Sequence, residues 1–119
     1  MRVRFLAIVL LAPVVMMMGC AREAPITVLL ENNSGRAIQS VAASYTGGVA
    51  SFGPLGVDES QEVGIRPTGD SHIELEIQPA NGQAEHRVVD TYFGRGYRGK
   101  IRITLDSEFA VRVSTTLTP

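Results

Sequence analysis

The chain of 119 residues has no tryptophan, one cysteine (Cys20) and one lysine (Lys100). A single cysteine excludes a disulfide within the chain. Small exported domains commonly lean on disulfides or a metal, so a hydrophobic core must hold this one together. The two histidines, His72 and His86, have no cysteine pair beside them, which leaves no zinc-ligand spacing. Eleven Lys and Arg stand against twelve Asp and Glu, so the chain lacks the basic excess that general nucleic-acid binding needs. It also lacks a Gly-x-Ser-x-Gly nucleophile elbow, and acyl-transfer chemistry has no support. From Ile26 onward no run of apolar residues at helical spacing is long enough to make a helix.

The charge that is present lies unevenly. Residues 21–86 hold three Arg against nine Asp and Glu, whereas residues 87–119 hold six basic residues against three acidic ones. An acidic body with a basic C-terminal third leaves room for one local basic surface.

The long apolar run lies at the N-terminus. Met1-Arg2-Val3-Arg4 supplies a positive segment, and Phe5 to Met18 is an apolar run of fourteen residues broken by Pro13, which is the pattern of an export signal. At a helical rise of 1.5 Å such a run reaches about 21 Å, short of the roughly 30 Å hydrocarbon core, so a permanent membrane span fits less well. Met17-Met18-Gly19-Cys20 follows. This stretch resembles the lipobox of bacterial lipoproteins, in which a small residue precedes a cysteine that is lipidated and becomes the new N-terminus. Met17 stands where that family usually carries Leu or another branched aliphatic residue.

The resemblance covers residues 1–20. It implies that 1–19 are a cleaved signal peptide, that Cys20 is the lipidation site, and that 20–25 form a short tether to a domain over 26–119. An ordinary signal peptide ending near Cys20, or an uncleaved anchor, are the alternatives. Acyl chains on Cys20 would contribute about 0.8 kcal/mol per buried methylene, and more than one chain makes a stable anchor. Ala21, where the family's inner-membrane retention signal is typically Asp, implies the outer membrane facing the periplasm for a Gram-negative source. Ala21 to Pro25 reach at most about 17 Å when extended, which keeps the domain close to the bilayer.

The body reads as strands. In His72-Ile73-Glu74-Leu75-Glu76-Ile77-Gln78, apolar and polar residues alternate as one buried and one wet face require. Lys100 to Asp106 repeats the pattern, and Phe109, Val111 and Val113 continue it after Asp106-Ser107-Glu108, which predicts a hairpin. Ile26 to Glu31 and Ala37 to Tyr45 are strand-like runs joined by Asn32-Asn33-Ser34-Gly35, whose residues tolerate tight turns. Further breaks fall at 46–48, 53–56, 67–70 and 79–82. About eight strands result, over 26–32, 36–45, 49–53, 60–66, 71–78, 83–92, 100–106 and 109–116. The predicted fold is all-β, an antiparallel two-sheet sandwich, immunoglobulin-like in the broad sense. A small β-barrel is the alternative.

Gly94-Arg95-Gly96-Tyr97-Arg98-Gly99 matches Gly-x-Gly-x-x-Gly, but that phosphate motif works only where a strand leads into a helix, and Lys100 onward alternates as a strand. A glycine-rich hairpin loop is the expectation. The same loop gathers Tyr92, Phe93, Arg95, Tyr97, Arg98 and Lys100 within nine positions, and aromatic and Arg side chains dominate interfaces and pair with anions. This is the candidate partner-binding loop, for a lipid headgroup, a cell-wall polymer or an acidic protein. Its simpler reading is that Tyr92, Phe93 and Tyr97 cap one end of the core while the arginines stay wet.

His72, Glu74 and Glu76 share a strand face, but alternate side chains start about 6.8 Å apart and seldom converge on one ion, so we read a solvated face and no metal. His86 has no evident partner. Asn32-Asn33-Ser34 satisfies the glycosylation pattern, to which a bacterial lipoprotein gives no default meaning. The sequence therefore predicts a non-enzymatic, membrane-anchored interaction or accessory module of the cell envelope, without a cofactor. Its partners would be the membrane, through the lipid anchor, and an anionic envelope component or protein, with no nucleic acid. A small-ligand carrier with a barrel interior and a cell-wall hydrolase using two carboxylates are the alternatives.

Overall fold

The computed structural model describes residues 24–119; residues 1–23, on which the expected export signal and the expected lipidation site Cys20 fall, lie outside the described residues. Eight strands form: β1 (Ile26–Asn32), β2 (Ile38–Tyr45), β3 (Gly48–Phe52), β4 (Ser60–Ile65), β5 (Ser71–Pro79), β6 (Glu85–Phe93), β7 (Arg98–Leu105) and β8 (Val111–Thr118), with a 3-10 turn at Ser107–Phe109 before β8. They make two four-stranded sheets, ordered β4-β1-β7-β8 and β3-β2-β5-β6. β3 lies close to β4, and β6 close to β8, yet no strand pairing joins the two sheets. The fold is a two-sheet sandwich, and the barrel alternative is not realised.

Alternation in the sequence becomes burial in the fold. Along β5 every second residue from Ser71 to Pro79 is buried, while His72 and Glu76 are exposed and Glu74 and Gln78 half-buried. Ile73, Leu75 and Ile77 meet Ile101, Ile103 and Leu105 of β7 within one core that Phe52, Phe93 and Phe109 help to fill. Residues that face this layer from both sheets lose nearly all their solvent contact, at about 25 cal/mol per Å² of apolar surface.

Three sequence expectations change. The pairing of β1 with β7 is parallel, with Leu30 opposite Ile103, so the sandwich is antiparallel in every ladder but this one. Phe109 does not begin the last strand. It sits in the 3-10 turn with φ of 58°, its side chain fully buried, and β8 starts two residues later. The 94–97 connection is not a hairpin loop either, because β6 and β7 belong to opposite sheets, and the turn after β1 likewise carries the chain across to the other sheet. The β7–β8 hairpin forms as expected, from Leu105 opposite Val111 to Arg98 opposite Thr118.

That hairpin carries an ion pair. Arg112 donates to Asp106 from Nε at 2.5 Å and from Nη2 at 3.2 Å, and these bonds hold the Asp106 carboxyl below the usual carboxylate range. A carboxyl lowered in the folded state adds stability above its unfolded value near pH 4, and that contribution disappears as pH falls through the lower folded value. Arg112→Gln should raise the Asp106 titration towards the ordinary value, read from its carboxyl carbon by NMR, and make stability less steep in pH below about 4.

Candidate functional site

The crossover from β6 to β7 is built by its glycines. Phe93 ends β6 inside the core, and the Tyr97 amide donates to the Gly94 carbonyl at 3.2 Å, closing a turn over Gly94–Tyr97. Gly96 occupies the third position of that turn with φ of 89°, a conformation that side chains with a Cβ resist. The Gly99 amide then donates to the Pro25 carbonyl at 3.0 Å, fastening the loop to the chain segment that enters β1. The glycine pattern therefore serves a turn and a close strand approach. It leads into β7 rather than into a helix.

Strand direction decides what lies around this loop. Pro25 before β1, the β2–β3 turn, the β4–β5 connection at 66–70 and the β6–β7 loop all share one end of the sandwich. The six predicted residues divide there. Phe93 is fully buried and Tyr97 is half-buried against the core, as the capping reading had it, whereas Tyr92 is 62% exposed. The two tyrosine rings meet edge to face with centroids 6.4 Å apart. The Asp70 carboxylate at this pole pushes the Tyr92 phenol up from its ordinary value. Lys100 leaves the group: it lies within β7 and reaches Glu62 of β4 at 3.3 Å.

Arg95 and Arg98 remain, both exposed, beside an open groove of about 440 Å³ lined also by Pro25, Arg66, Pro67 and Thr68. Arg66 was not singled out from the sequence, because it stands 29 positions before Arg95 and only the ending of β4 at this pole brings the two together. Most other cations of the described residues are visibly engaged. Arg87 reaches Glu85 at 2.6 Å, Arg102 reaches Glu31 at 3.7 Å, Arg112 pairs with Asp106, and Arg36 lies over the Phe109 ring at 4.9 Å. Among the described residues no carboxylate pairs with Arg95 or Arg98.

The outer face of β5 and β6 forms a second cluster. Glu74 accepts from His72 Nε2 at 2.8 Å and lies 3.2 Å from His86 Nε2, and both contacts hold its carboxyl below the ordinary range. His86 thus has a partner that the sequence did not reveal, supplied by antiparallel pairing that places it opposite Glu76 and diagonal to Glu74. Glu76 takes no part in this cluster. No group of three or more His, Cys, Asp or Glu among the described residues is arranged to hold a metal ion.

On the opposite sheet a groove of about 470 Å³ runs between Glu31, Arg102, Thr104, Arg112, Val113 and Ser114. It holds one carboxylate, Glu31, which Arg102 and Thr104 already engage; two opposed carboxylates, as a hydrolase would need, do not line it. A carrier would need a lumen, and these sheets enclose packed side chains instead.

Fold and site together define a small two-sheet β-sandwich protein with one basic, aromatic pole. No family model matches the chain, and no curated protein matches its sequence. Among solved structures the chain is similar to a protein from Eubacterium rectale determined by NMR, with a TM-score of 0.53 at 16% identity, covering 75% of this chain and 85% of that one. At that identity the likeness is one of fold. No helix among the described residues is long and apolar enough to cross a membrane.

Proposed function

We propose that this chain is a lipid-anchored protein of the cell envelope whose sandwich works as a non-enzymatic interaction module, contacting an anionic partner through Tyr92, Arg95 and Arg98. The observation that carries this reading is positional. The loop with the uncompensated arginines stands at the end of the sandwich where Pro25 enters β1, five residues after Cys20. An anchor at Cys20 would hold that end towards the bilayer, in the outer membrane facing the periplasm if the source is Gram-negative. The lipobox-like Met17 to Cys20 supports the anchor, and the net charge of the loop supports an anionic partner.

The test compares intact mass and membrane partitioning of the full chain with those of Cys20→Ser. The wild type is expected to carry the mass of acyl chains and to lose residues 1–19, while the variant gains no acyl mass. An unmodified Cys20 in the wild type would overturn the anchor and make a free secreted binder the better reading.

A further inference from the structure

We infer that the groove between Pro25, Arg66, Arg95 and Arg98 binds the phosphate of anionic lipid headgroups in the membrane to which the chain is tethered. The choice of lipid rests on the anchored reading above; the groove's demand for an anion rests on its own geometry.

The molecule is charge-polarised along its strands. At the tether end, the 94–97 loop and the first residue of β7 hold Arg95 and Arg98, which no carboxylate of the described residues pairs, beside Asp70 and beside Arg66, which is engaged in an interaction of its own. The far end is reversed: its connections hold Asp58, Glu59, Asp106 and Glu108 against Arg36 alone. A molecule with this polarity, placed near an anionic surface, turns its basic end towards it even before contact.

The tether end is also built for contact. Guanidinium groups offer a planar fork of donors that matches phosphate oxygens, and Arg95 and Arg98 have no carboxylate among the described residues to satisfy them. The open groove of about 440 Å³ beside them is large enough to seat a headgroup phosphate. Tyr92, exposed at the same pole, is the kind of amphipathic ring that settles at the membrane–water boundary. Reach favours lipid over a distant polymer. Residues 21–25 span at most about 17 Å, so the groove of an anchored chain lies within a short distance of headgroups at high local concentration.

The experiment uses the full chain reconstituted into vesicles of phosphatidylcholine alone or of phosphatidylcholine mixed with phosphatidylglycerol, and reads amide hydrogen exchange. Exchange over 66–68 and 94–98 is expected to slow several-fold only when phosphatidylglycerol is present, with 54–59 at the far end unchanged. The slowing should vanish near 1 M salt, where the Debye length is about 3 Å. Arg95→Gln and Arg98→Gln should each weaken the apparent affinity for the phosphatidylglycerol surface about fivefold. Arg102→Gln, with the same change of charge on the sheet face, should not.

Equal exchange in both vesicles overturns the proposal, as does an equal effect of inorganic phosphate added to phosphatidylcholine vesicles, which would make the groove a free-phosphate site. The readout does not depend on how the chain is attached. If Cys20 is acylated and the pole ignores phosphatidylglycerol, the groove proposal falls alone. If Cys20 is unmodified and the pole still responds, the anchor falls and the groove stands.

Discussion

Replacing Gly99 by alanine should cost about 4 kcal/mol or more, near the upper limit for a single substitution. Two effects add. Gly99 has φ of 133°, where an L side chain is strained, and an added Cβ would lie 1.9 Å from the Thr116 carbonyl oxygen and 3.1 Å from Leu117 Cα. Both atoms are backbone of β8, so no side-chain rotation relieves the overlap. The β7–β8 ladder between Arg98 and Ile101 must open, and with it the bond from the Gly99 amide to Pro25. A domain of this size has roughly 5–15 kcal/mol to lose, and each kcal/mol is worth about 4–8 °C in Tm, so thermal unfolding should fall by 15 °C or more. Gly96→Ala is the control. Its φ of 89° carries strain of about 1–2 kcal/mol, but nothing lies within 4 Å of the added Cβ. Similar losses in the two variants would refute the close approach of β8 as the cause.

Asn32→Ala is expected to destabilise by about 3 kcal/mol, because it strips several buried polar groups of partners at once. The side chain is fully buried at the far end of the sandwich. Its Nδ2 lies within bonding distance of three carbonyls, those of Arg36 at 2.8 Å, Gly56 at 3.0 Å and Leu55 at 3.2 Å, while Oδ1 accepts from the Ser34 hydroxyl at 2.6 Å and the Ser34 amide at 3.1 Å. One amide thus ties the end of β1 to the connections before β2 and before β4. Because this nitrogen faces the interior, the glycosylation pattern at 32–34 marks a structural amide in the folded chain. Asn33→Ala, on an exposed neighbour, should change stability by no more than about 0.5 kcal/mol.

Asn32→Asp should be at least as harmful as the alanine variant at neutral pH, since a carboxylate would face carbonyl oxygens without a donor. Protonation restores one donor, so the carboxyl would be raised in the fold and the variant should gain stability relative to wild type as pH falls. Chemical denaturation of the three variants at pH 7 and pH 5 reads both effects. Destabilisation of Asn32→Ala below about 1 kcal/mol would show that water replaces the lost bonds.

The strands were legible because side-chain alternation is a local consequence of the pleat, visible in any one segment. His72 to Gln78 alternates without interruption, and β5 buries the residues that the alternation selects. The 94–99 glycines could likewise be read as a loop, since the residues after them alternate. Phe109 misled because its spacing from Val111 and Val113 continues the alternation, although its buried ring belongs to a 3-10 turn with positive φ.

Tertiary structure alone decided the rest. Leu30 and Ile103 pair in parallel across 73 positions, a choice set by non-local hydrogen bonding and core packing and marked by no local pattern. Sheet membership converts the expected hairpin at 94–97 into a crossover, and strand direction carries Arg66, Arg95 and Arg98 to the end where β1 begins. The same pairing takes Lys100 away to Glu62 and gives His86 its contact with Glu74. Local chemistry, the apolar alternation and the single cysteine at position 20 are properties of residues near one another in the chain. A basic pole is a property of residues that meet only after the strands have chosen partners, because charge adds up over distance in space and not over distance in sequence.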